Sequence, residues 1–194
     1  MRTVIGLTGP TGAGKSSVCL VARELGFKIV DCDLLARVAV EKGSSGLKHL
    51  CEVFGNGILL PDGSLNRKAL AQIAFSSREN TELLNKTLLP HIARLVEREI
   101  DTDYVLLDAP TLFESGLQDR CYKTVAVLSG EELRRERIMS RDNIDIDAAK
   151  LRMSAGKNDK FYIKNADKVF YNNGNLQEFL LKIKEYLESI IGGK

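Results

Sequence analysis

The 194-residue sequence has little net charge: 28 Lys and Arg stand against 26 Asp and Glu, leaving +2 with both histidines neutral. That balance offers no broad basic face, so nucleic acid is not an expected partner. The sequence also lacks any apolar run of the roughly 18–20 residues needed to cross a bilayer, and no membrane association is expected. Met1-Arg2 and the run from Thr3 to Leu7 are too brief and too soon interrupted for a secretory signal. Cysteine is scarce. Cys19, Cys32, Cys51 and Cys121 form no CxxC pair and no metal-type spacing. They read as small buried hydrophobes or free thiols of a reducing compartment, which makes the cytoplasm the expected location. Repeats, low-complexity tracts and linkers are absent as well. What remains is 44% hydrophobic and 28% charged, ordinary for a globular chain whose length fits one domain with room for an inserted subdomain.

Apolar, β-rich runs alternate with longer amphipathic stretches. Thr3 to Thr8 reads as a buried strand, followed by a Gly-rich turn, a helix from about Lys15 to Leu25, and Gly26 as its stop. Phe27 to Cys32, Tyr104 to Leu107, Tyr122 to Leu128 and the shorter Val169 to Tyr171 read as four further strands, with a short helix over Leu34 to Glu41. This alternation predicts an α/β fold, a parallel five-stranded sheet flanked by helices. Two helical excursions interrupt it. The stretch from Lys42 to Ile100 has a turn at Pro61-Asp62-Gly63-Ser64 and a long helix opened by Ser76-x-x-Glu79 in capping-box spacing, with a kink or break expected at Pro90. Glu131 to Lys164 is helical and Arg-rich, with Ser129-x-x-Glu132 in capping position. Leu176 to Ile191 is an amphipathic C-terminal helix.

Gly9-Pro10-Thr11-Gly12-Ala13-Gly14-Lys15-Ser16 matches the P-loop pattern GxxxxGK[ST], set between an apolar strand and a helix. Its glycines let the backbone fold into a nest whose N–H groups face phosphate oxygens, and the helix that follows adds its positive end. Lys15 suits the β- and γ-phosphates, and the Ser16 hydroxyl suits Mg²⁺. Tyr104-Val-Leu-Leu-Asp108 is an apolar strand ending in a carboxylate. Asp108 reads as a metal-side residue or as a turn cap. Asp31-Cys32-Asp33 ends the second strand, where the ligand crevice of an open α/β sheet lies. Asp33 serves there either as a proton acceptor or as the cap of the following helix. Arg134, Arg137 and Arg141 share one helix face at i, i+3 and i+7. They suit either a cationic closure over a transferring phosphoryl group or a solvated face, since Glu131, Glu132 and Glu136 are interspersed.

No NKxD guanine reader occurs, and Asp108 is followed by Ala-Pro-Thr rather than the xxG of a GTPase. A small-molecule kinase with helical inserts or a regulatory ATP-binding module is left. The chain resembles the dephospho-CoA kinase family over nearly its whole length. Ile5-Gly-Leu-Thr-Gly9 into the P-loop, Asp31-Cys-Asp33-Leu-Leu-Ala-Arg37, Gly63-Ser-Leu-Asn66-Arg67, Asp108-Ala-Pro110-Thr-Leu112-Phe113-Glu114, Arg137-Ile-Met-Ser-Arg141-Asp142 and Ala166-Asp167 through Asn172-Asn173-Gly174 are similar to its successive motifs. It departs at Pro10, where Gly is usual, at Ala13 for Ser, at Asn66 for Asp, at Gly156 for Gln, and at Leu89, with His91 one step past Pro90 instead of a His before it. His91 and His49 read as satisfied or solvated histidines.

The resemblance implies ATP-dependent phosphorylation of the ribose 3′-hydroxyl of 3′-dephospho-CoA, the last step of coenzyme A synthesis, with Mg²⁺. It implies a P-loop core of about 1–41, 101–130 and 165–194, a helical acceptor-binding insert of about 42–100 and an Arg-rich lid of about 131–164. In that frame Asp33, Lys15 and Arg141 are catalytic. Gly9, Thr11, Gly12, Ala13, Gly14, Lys15, Ser16, Ser17 and Asn173 hold the nucleotide. Asp33, Arg37, Arg67, Leu112, Phe113 and Glu114 lie at the acceptor, and Ser16 and Asp108 on the metal side. The expected partners are the two small-molecule substrates, for a monomer or weak homo-oligomer.

Overall fold

Strand β1 (Thr3–Thr8) is buried along its whole length, both threonines included, as befits a parallel strand covered on both faces. It pairs in parallel with β3 (Tyr104–Asp108) on one side and with β4 (Lys123–Leu128) on the other, and β4 pairs in parallel with β5 (Lys168–Tyr171). With β2 (Lys28–Asp31) at the far edge, the order is β2-β3-β1-β4-β5. The chain therefore leaves β1 toward one edge and later fills the other side. The end of β1 is the switch point at which such sheets bind ligands. The structure is a computed structural model that describes residues 2–193. It divides into two compact units: one runs to Val30 and resumes at Thr102, and the other is Asp31–Asp101.

In the sheet-bearing unit, α1 (Lys15–Glu24) buries Val18, Cys19, Val21 and Ala22, and α9 (Leu176–Gly192) buries Phe179, Ile183 and Leu187, one turn apart. Both pack with Ile5, Leu7, Leu106, Val125, Val127 and Phe170 in the main core. The alternate β4 residues Ala126 and Leu128 meet Tyr162 of α8 (Asp159–Asn165) in a second cluster, the period of two that a strand imposes. Gly26 follows α1 at φ +85, the left-handed stop expected of it. Before α8 come α6 (Glu131–Asp142) and α7 (Ile146–Ser154).

The Asp31–Asp101 unit holds α2 (Cys32–Val38), α3 (Ser45–Phe54), α4 (Arg67–Ala74) and α5 (Arg78–Glu99). These close around Val40, Leu50, Ile58, Leu70 and Ala74. Asn66 caps α4 by accepting from the Ala69 N–H at 3.0 Å. An amide oxygen does this as well as a carboxylate, so the departure from Asp leaves the turn intact. Three expectations are corrected. Ser77, not Ser76, caps α5, accepting from Asn80. Pro90 neither breaks nor ends that helix, which runs on to Glu99; packing against α2, α3 and α4 offsets the missing N–H. The start of α6 is Gly130 with no side-chain cap; Ser129 lies one residue before it, donating its hydroxyl to the Asn172 carbonyl at 2.8 Å and accepting from Arg137 at 3.2 Å. Among the described residues no helix is long and apolar enough to cross a membrane.

Asp167 ties β5 to β4. One carboxylate oxygen accepts from the Thr124 N–H and hydroxyl, both at 2.7 Å, and Lys123 lies 3.7 Å from the other. The Thr124 bonds, helped by Lys123 and opposed by burial, hold this carboxyl below the usual carboxylate range. Asp167→Ala is expected to cost about 1–2 kcal/mol at neutral pH, hydrogen bonds to a charged but half-exposed group. A depressed folded value gives stability that is present above about pH 4 and is lost as pH falls through it. Urea unfolding at pH 7 and in acid checks this: the gap between wild type and variant should close in acid, and a constant gap would contradict it.

Candidate active site

The loop from Gly9 to Ser16 joins β1 to α1. Gly9, Gly12 and Gly14 all take positive φ, and at all three a side chain has no room: a Cβ on Gly9 would come within 2.2 Å of the Val127 carbonyl oxygen. A Cβ on Gly12 would come within 2.7 Å of the Arg134 carbonyl oxygen, and one on Gly14 within 2.3 Å of the Asn172 amide nitrogen. Ala13 is fully buried in the main core, which is why a small side chain stands there. Gly14 begins α1 with no side-chain cap, so the first-turn N–H groups face an open anion site. The Lys15 ammonium donates to the Gly9 carbonyl at 2.8 Å, folded back over its own loop. Ser16 is exposed on the first turn of α1, with Ser17 partly buried beside it and Thr11 partly buried in the loop.

The loop is held from outside. Asn172, 4% exposed, donates its side-chain amide to the Ala13 carbonyl at 2.9 Å. Arg137 donates to the carbonyls of Gly12 and Ala13 at 3.2 and 3.4 Å, to the Ser129 hydroxyl at 3.2 Å and to the Asn172 carbonyl at 3.1 Å. These donors hold two loop carbonyls outward, which turns the Gly14 N–H to the opposite side for a ligand, while the Ala13 N–H donates within the loop to the Pro10 carbonyl at 3.2 Å. Asn173 accepts from the Gly130 N–H at 2.7 Å and so fixes the start of α6. Sequence reasoning placed Arg137 only as one of a row of arginines and missed the part Asn172 plays. The shared face of Arg134, Arg137 and Arg141 was the available signal.

Asp108 ends β3 opposite Leu7 of β1. The Cys19 thiol, one turn into α1, donates to its carboxylate at 3.6 Å. Burial, with the charge of Asp108 beside it, pushes that thiol up to about 12, so it stays protonated and acts as the donor. The cysteines carry no disulfide among the described residues. Leu112 is fully buried and fills the space over Gly6. Phe113 lies edge-on to Phe161 at 5.9 Å, and Glu114 is exposed.

Arg134 is buried, 3.5 Å from Asp159, with its Nε lacking a hydrogen bond. It lines a cavity of about 440 Å³ together with Ser129, Lys150, Gly156 and Lys157. Arg141, 60% exposed, is paired with Asp142 at 2.8 and 2.9 Å, and Arg152 joins the same carboxylate. The Arg141 hydrogen bonds, with the two positive charges, hold the Asp142 carboxyl below its ordinary range. The structure thus gathers the loop, Lys15, Ser16, Asp108, Arg137 and Asn173 in the sheet-bearing unit. Asp33 and Arg37 lie exposed on α2, and Arg67 lies exposed on α4, within the Asp31–Asp101 unit. Asp33 is not the cap of α2: Asp31 accepts from the Leu34 N–H at 2.9 Å, which leaves Asp33 in the first turn.

A parallel sheet of this order, with a glycine nest and a lysine at its central strand and an acid ending the neighbouring strand, defines a P-loop kinase. The family model for dephospho-CoA kinase matches residues 3–178. A dephospho-CoA kinase of Enterococcus faecalis is 34% identical over 100% of both chains. Among solved structures, the Thermus thermophilus protein TT1252 superposes with a TM-score of 0.81 at 30% identity, over 97% of both chains. The dephospho-CoA kinase from Campylobacter jejuni does so at 0.70 and 25%, over 100% of this chain and 99% of that one. The chain belongs to the dephospho-CoA kinase family. Its activity is the phosphorylation of dephospho-CoA to coenzyme A, with ATP as the phosphoryl donor.

The crowding at Gly12 gives a direct prediction. Gly12→Ala should weaken ATP binding by about tenfold or more, because a positive-φ site and a backbone oxygen both oppose the methyl group. Calorimetric titration with ATP reads this, and an unchanged affinity would contradict the loop geometry.

Proposed function

We propose that the chain transfers the γ-phosphoryl group of ATP to the ribose 3′-hydroxyl of 3′-dephospho-CoA, with Mg²⁺ as cofactor and Asp33 as the group that receives the hydroxyl proton. The observation that carries this reading is the exposed Asp33 carboxylate in the first turn of α2, the helix that follows β2. The 3′-oxygen forms a bond to γ-phosphorus, the bond from phosphorus to the β–γ bridging oxygen breaks, the proton passes to Asp33, and ADP leaves. Gly9, Thr11, Gly12, Ala13, Gly14, Ser16 and Ser17 hold the ATP phosphates through the loop amides and the first turn of α1. Lys15 swings from the Gly9 carbonyl onto the β- and γ-phosphates. Arg141, released from Asp142, meets the negative charge that develops on the transferring group. Asn173, at the loop after β5, lies at the nucleotide base, and Arg37, Arg67, Leu112, Phe113 and Glu114 shape the acceptor site.

The residues present fit a magnesium ion. Among the described residues no cluster of three or more His, Cys, Asp or Glu forms a cage. An exposed Ser16 hydroxyl and the Asp108 carboxyl at the end of β3 instead suit a cation that takes one or two protein ligands and keeps phosphates and waters for the rest. Bound there, Mg²⁺ would neutralise charge on the β- and γ-phosphates. In this proposal residues 42–100 form the acceptor insert and 131–164 the lid, which excludes water from ATP during transfer. The protein acts as a monomer or weak homo-oligomer without nucleic acid, in the cytoplasm.

Purified protein incubated with ATP, Mg²⁺ and a panel of alcohols and nucleoside monophosphates tests the substrate assignment. ADP and coenzyme A should appear only with dephospho-CoA, and turnover of another acceptor in its place would overturn it. In the same assay Lys15→Ala should abolish transfer, and EDTA should stop it until Mg²⁺ is restored. Asp33→Asn should lower kcat by about 10²-fold or more while sparing ATP binding. An unchanged kcat would remove Asp33 from the mechanism.

A further inference from the structure

The Asp31–Asp101 unit contains a cavity of about 390 Å³ lined only by its own residues. Its walls are the end of α2 at Val38 and Ala39, the connection that carries Glu41 and Lys42, the start of α3, and α5. His91, Arg94, Leu95 and Arg98 recur at i, i+3, i+4 and i+7 and so present one face of α5 to it. Lys42, Arg94 and Arg98 are exposed; no hydrogen bond or salt bridge with a described residue holds Arg94 or Arg98, and Lys42 lies near enough to Asp62 for its charge to help lower that carboxyl. Glu41 is the one acid on the cavity wall. Three cations and one anion thus share an open recess, an arrangement whose self-repulsion an anionic ligand relieves.

The frame around these cations is fixed. Ser44 donates its hydroxyl to the Ala39 carbonyl at 2.8 Å and accepts from the Leu47 N–H at 3.1 Å. Gly46 sits so close to the end of α2 that a Cβ there would lie 2.1 Å from the Ala39 carbonyl oxygen. The two ring nitrogens of His91 are engaged by the Ser45 hydroxyl at 3.1 Å and by His49 at 3.2 Å. Burial, with His49 and Arg94 adding positive charge, holds His91 below its ordinary range. The imidazole is therefore a neutral, oriented wall in neutral solution, and the mobile charge on α5 belongs to the arginines.

We infer that this cavity binds a diphosphate group, with Arg94 and Arg98 as its principal ligands and Lys42 as the third cation. Two guanidinium groups one helical turn apart each offer paired donors, which match two linked phosphoryl groups better than one. The acceptor itself carries a diphosphate, and to that extent the inference rests on the function proposed above. Asp33 stands in the first turn of α2 and Val38 at its end lines the cavity, a rise of about 7.5 Å over five residues. That is comparable to the span from the 3′-oxygen to the 5′-diphosphate of one nucleotide. The other source of the same chemistry is a separate diphosphate ester acting away from the reaction.

Inorganic pyrophosphate is titrated into the full-length protein with the P-loop filled by a non-hydrolysable ATP analogue. Wild type is compared with Arg94→Ala/Arg98→Ala and with Arg94→Lys/Arg98→Lys, and steady-state kinetics are run beside the titrations. Pyrophosphate affinity is expected to fall about tenfold or more in the alanine variant, to recover in part with lysine, and to weaken with salt. A KM for dephospho-CoA that rises in parallel, with kcat and the KM for ATP unchanged, identifies the acceptor's own diphosphate as occupant. Unchanged kinetics with lost pyrophosphate binding identify a separate diphosphate ester. Equal pyrophosphate affinity in wild type and the alanine variant overturns the inference. Wild type that fails to phosphorylate dephospho-CoA would contradict the function proposed above instead, and the binding comparison would still decide this one.

Discussion

The outward hold on two carbonyls of the phosphate loop is the interaction on which the rest depends. A free backbone would not keep Gly9, Gly12 and Gly14 at positive φ together, since fixing each residue costs about 1–2 kcal/mol of conformational freedom. Here that cost is offset by donors on two other segments. Asn172, at the end of β5, and Arg137 of α6 donate to the loop carbonyls, while Ser129, at the end of β4, accepts from Arg137 and donates to the Asn172 carbonyl. Buried carbonyls must be paired; pairing the Ala13 carbonyl on one side commits the Gly14 N–H to the other, while the Ala13 N–H closes the loop onto the Pro10 carbonyl. The phosphate-binding surface is therefore a consequence of how the surroundings satisfy the loop.

The topology brings those donors together. In the order β2-β3-β1-β4-β5, β4 and β5 lie on the side of β1 away from the first crossover. Asn172 donates its backbone N–H to the Leu128 carbonyl at the end of β4, and the Ser129 hydroxyl returns a bond to the Asn172 carbonyl. The parallel register of β4 with β5 thus places Asn172 at the loop, and Asp167 fixes the entry of the same strand. Sheet, loop and the start of α6 form one connected set of hydrogen bonds within a single unit.

Much of this was legible in the sequence. Five strands in the right places, the P-loop with its lysine, and Asp108 at the end of β3 all follow from local pattern, because apolar runs and glycine spacing act over a few residues. The parts that were not legible depend on distant partners. Ser76 and Ser77 are equally good caps by composition, and only the folded turn selects Ser77. Pro90 signals a break in any isolated helix, yet α5 continues because three helices pack on it. Ser129 has capping spacing but spends its hydroxyl on a carbonyl forty-three positions away. Arg137 is indistinguishable in sequence from Arg134 and Arg141. Its distinction, four hydrogen bonds to the loop and its neighbours, exists only once β4 and β5 are in register.

A double-mutant cycle on ATP affinity tests the central claim most directly. Arg137→Met, Asn172→Ala and the double variant are compared with wild type by calorimetric titration with ATP, with thermal unfolding to confirm that each is folded. Both residues hold the Ala13 carbonyl and touch each other, so the account predicts that each single change weakens binding. It also predicts that the double change costs less than the sum, by a coupling of about 0.5–3 kcal/mol. ATP affinity unchanged in all three folded variants would contradict the claim that these outside donors make the phosphate site.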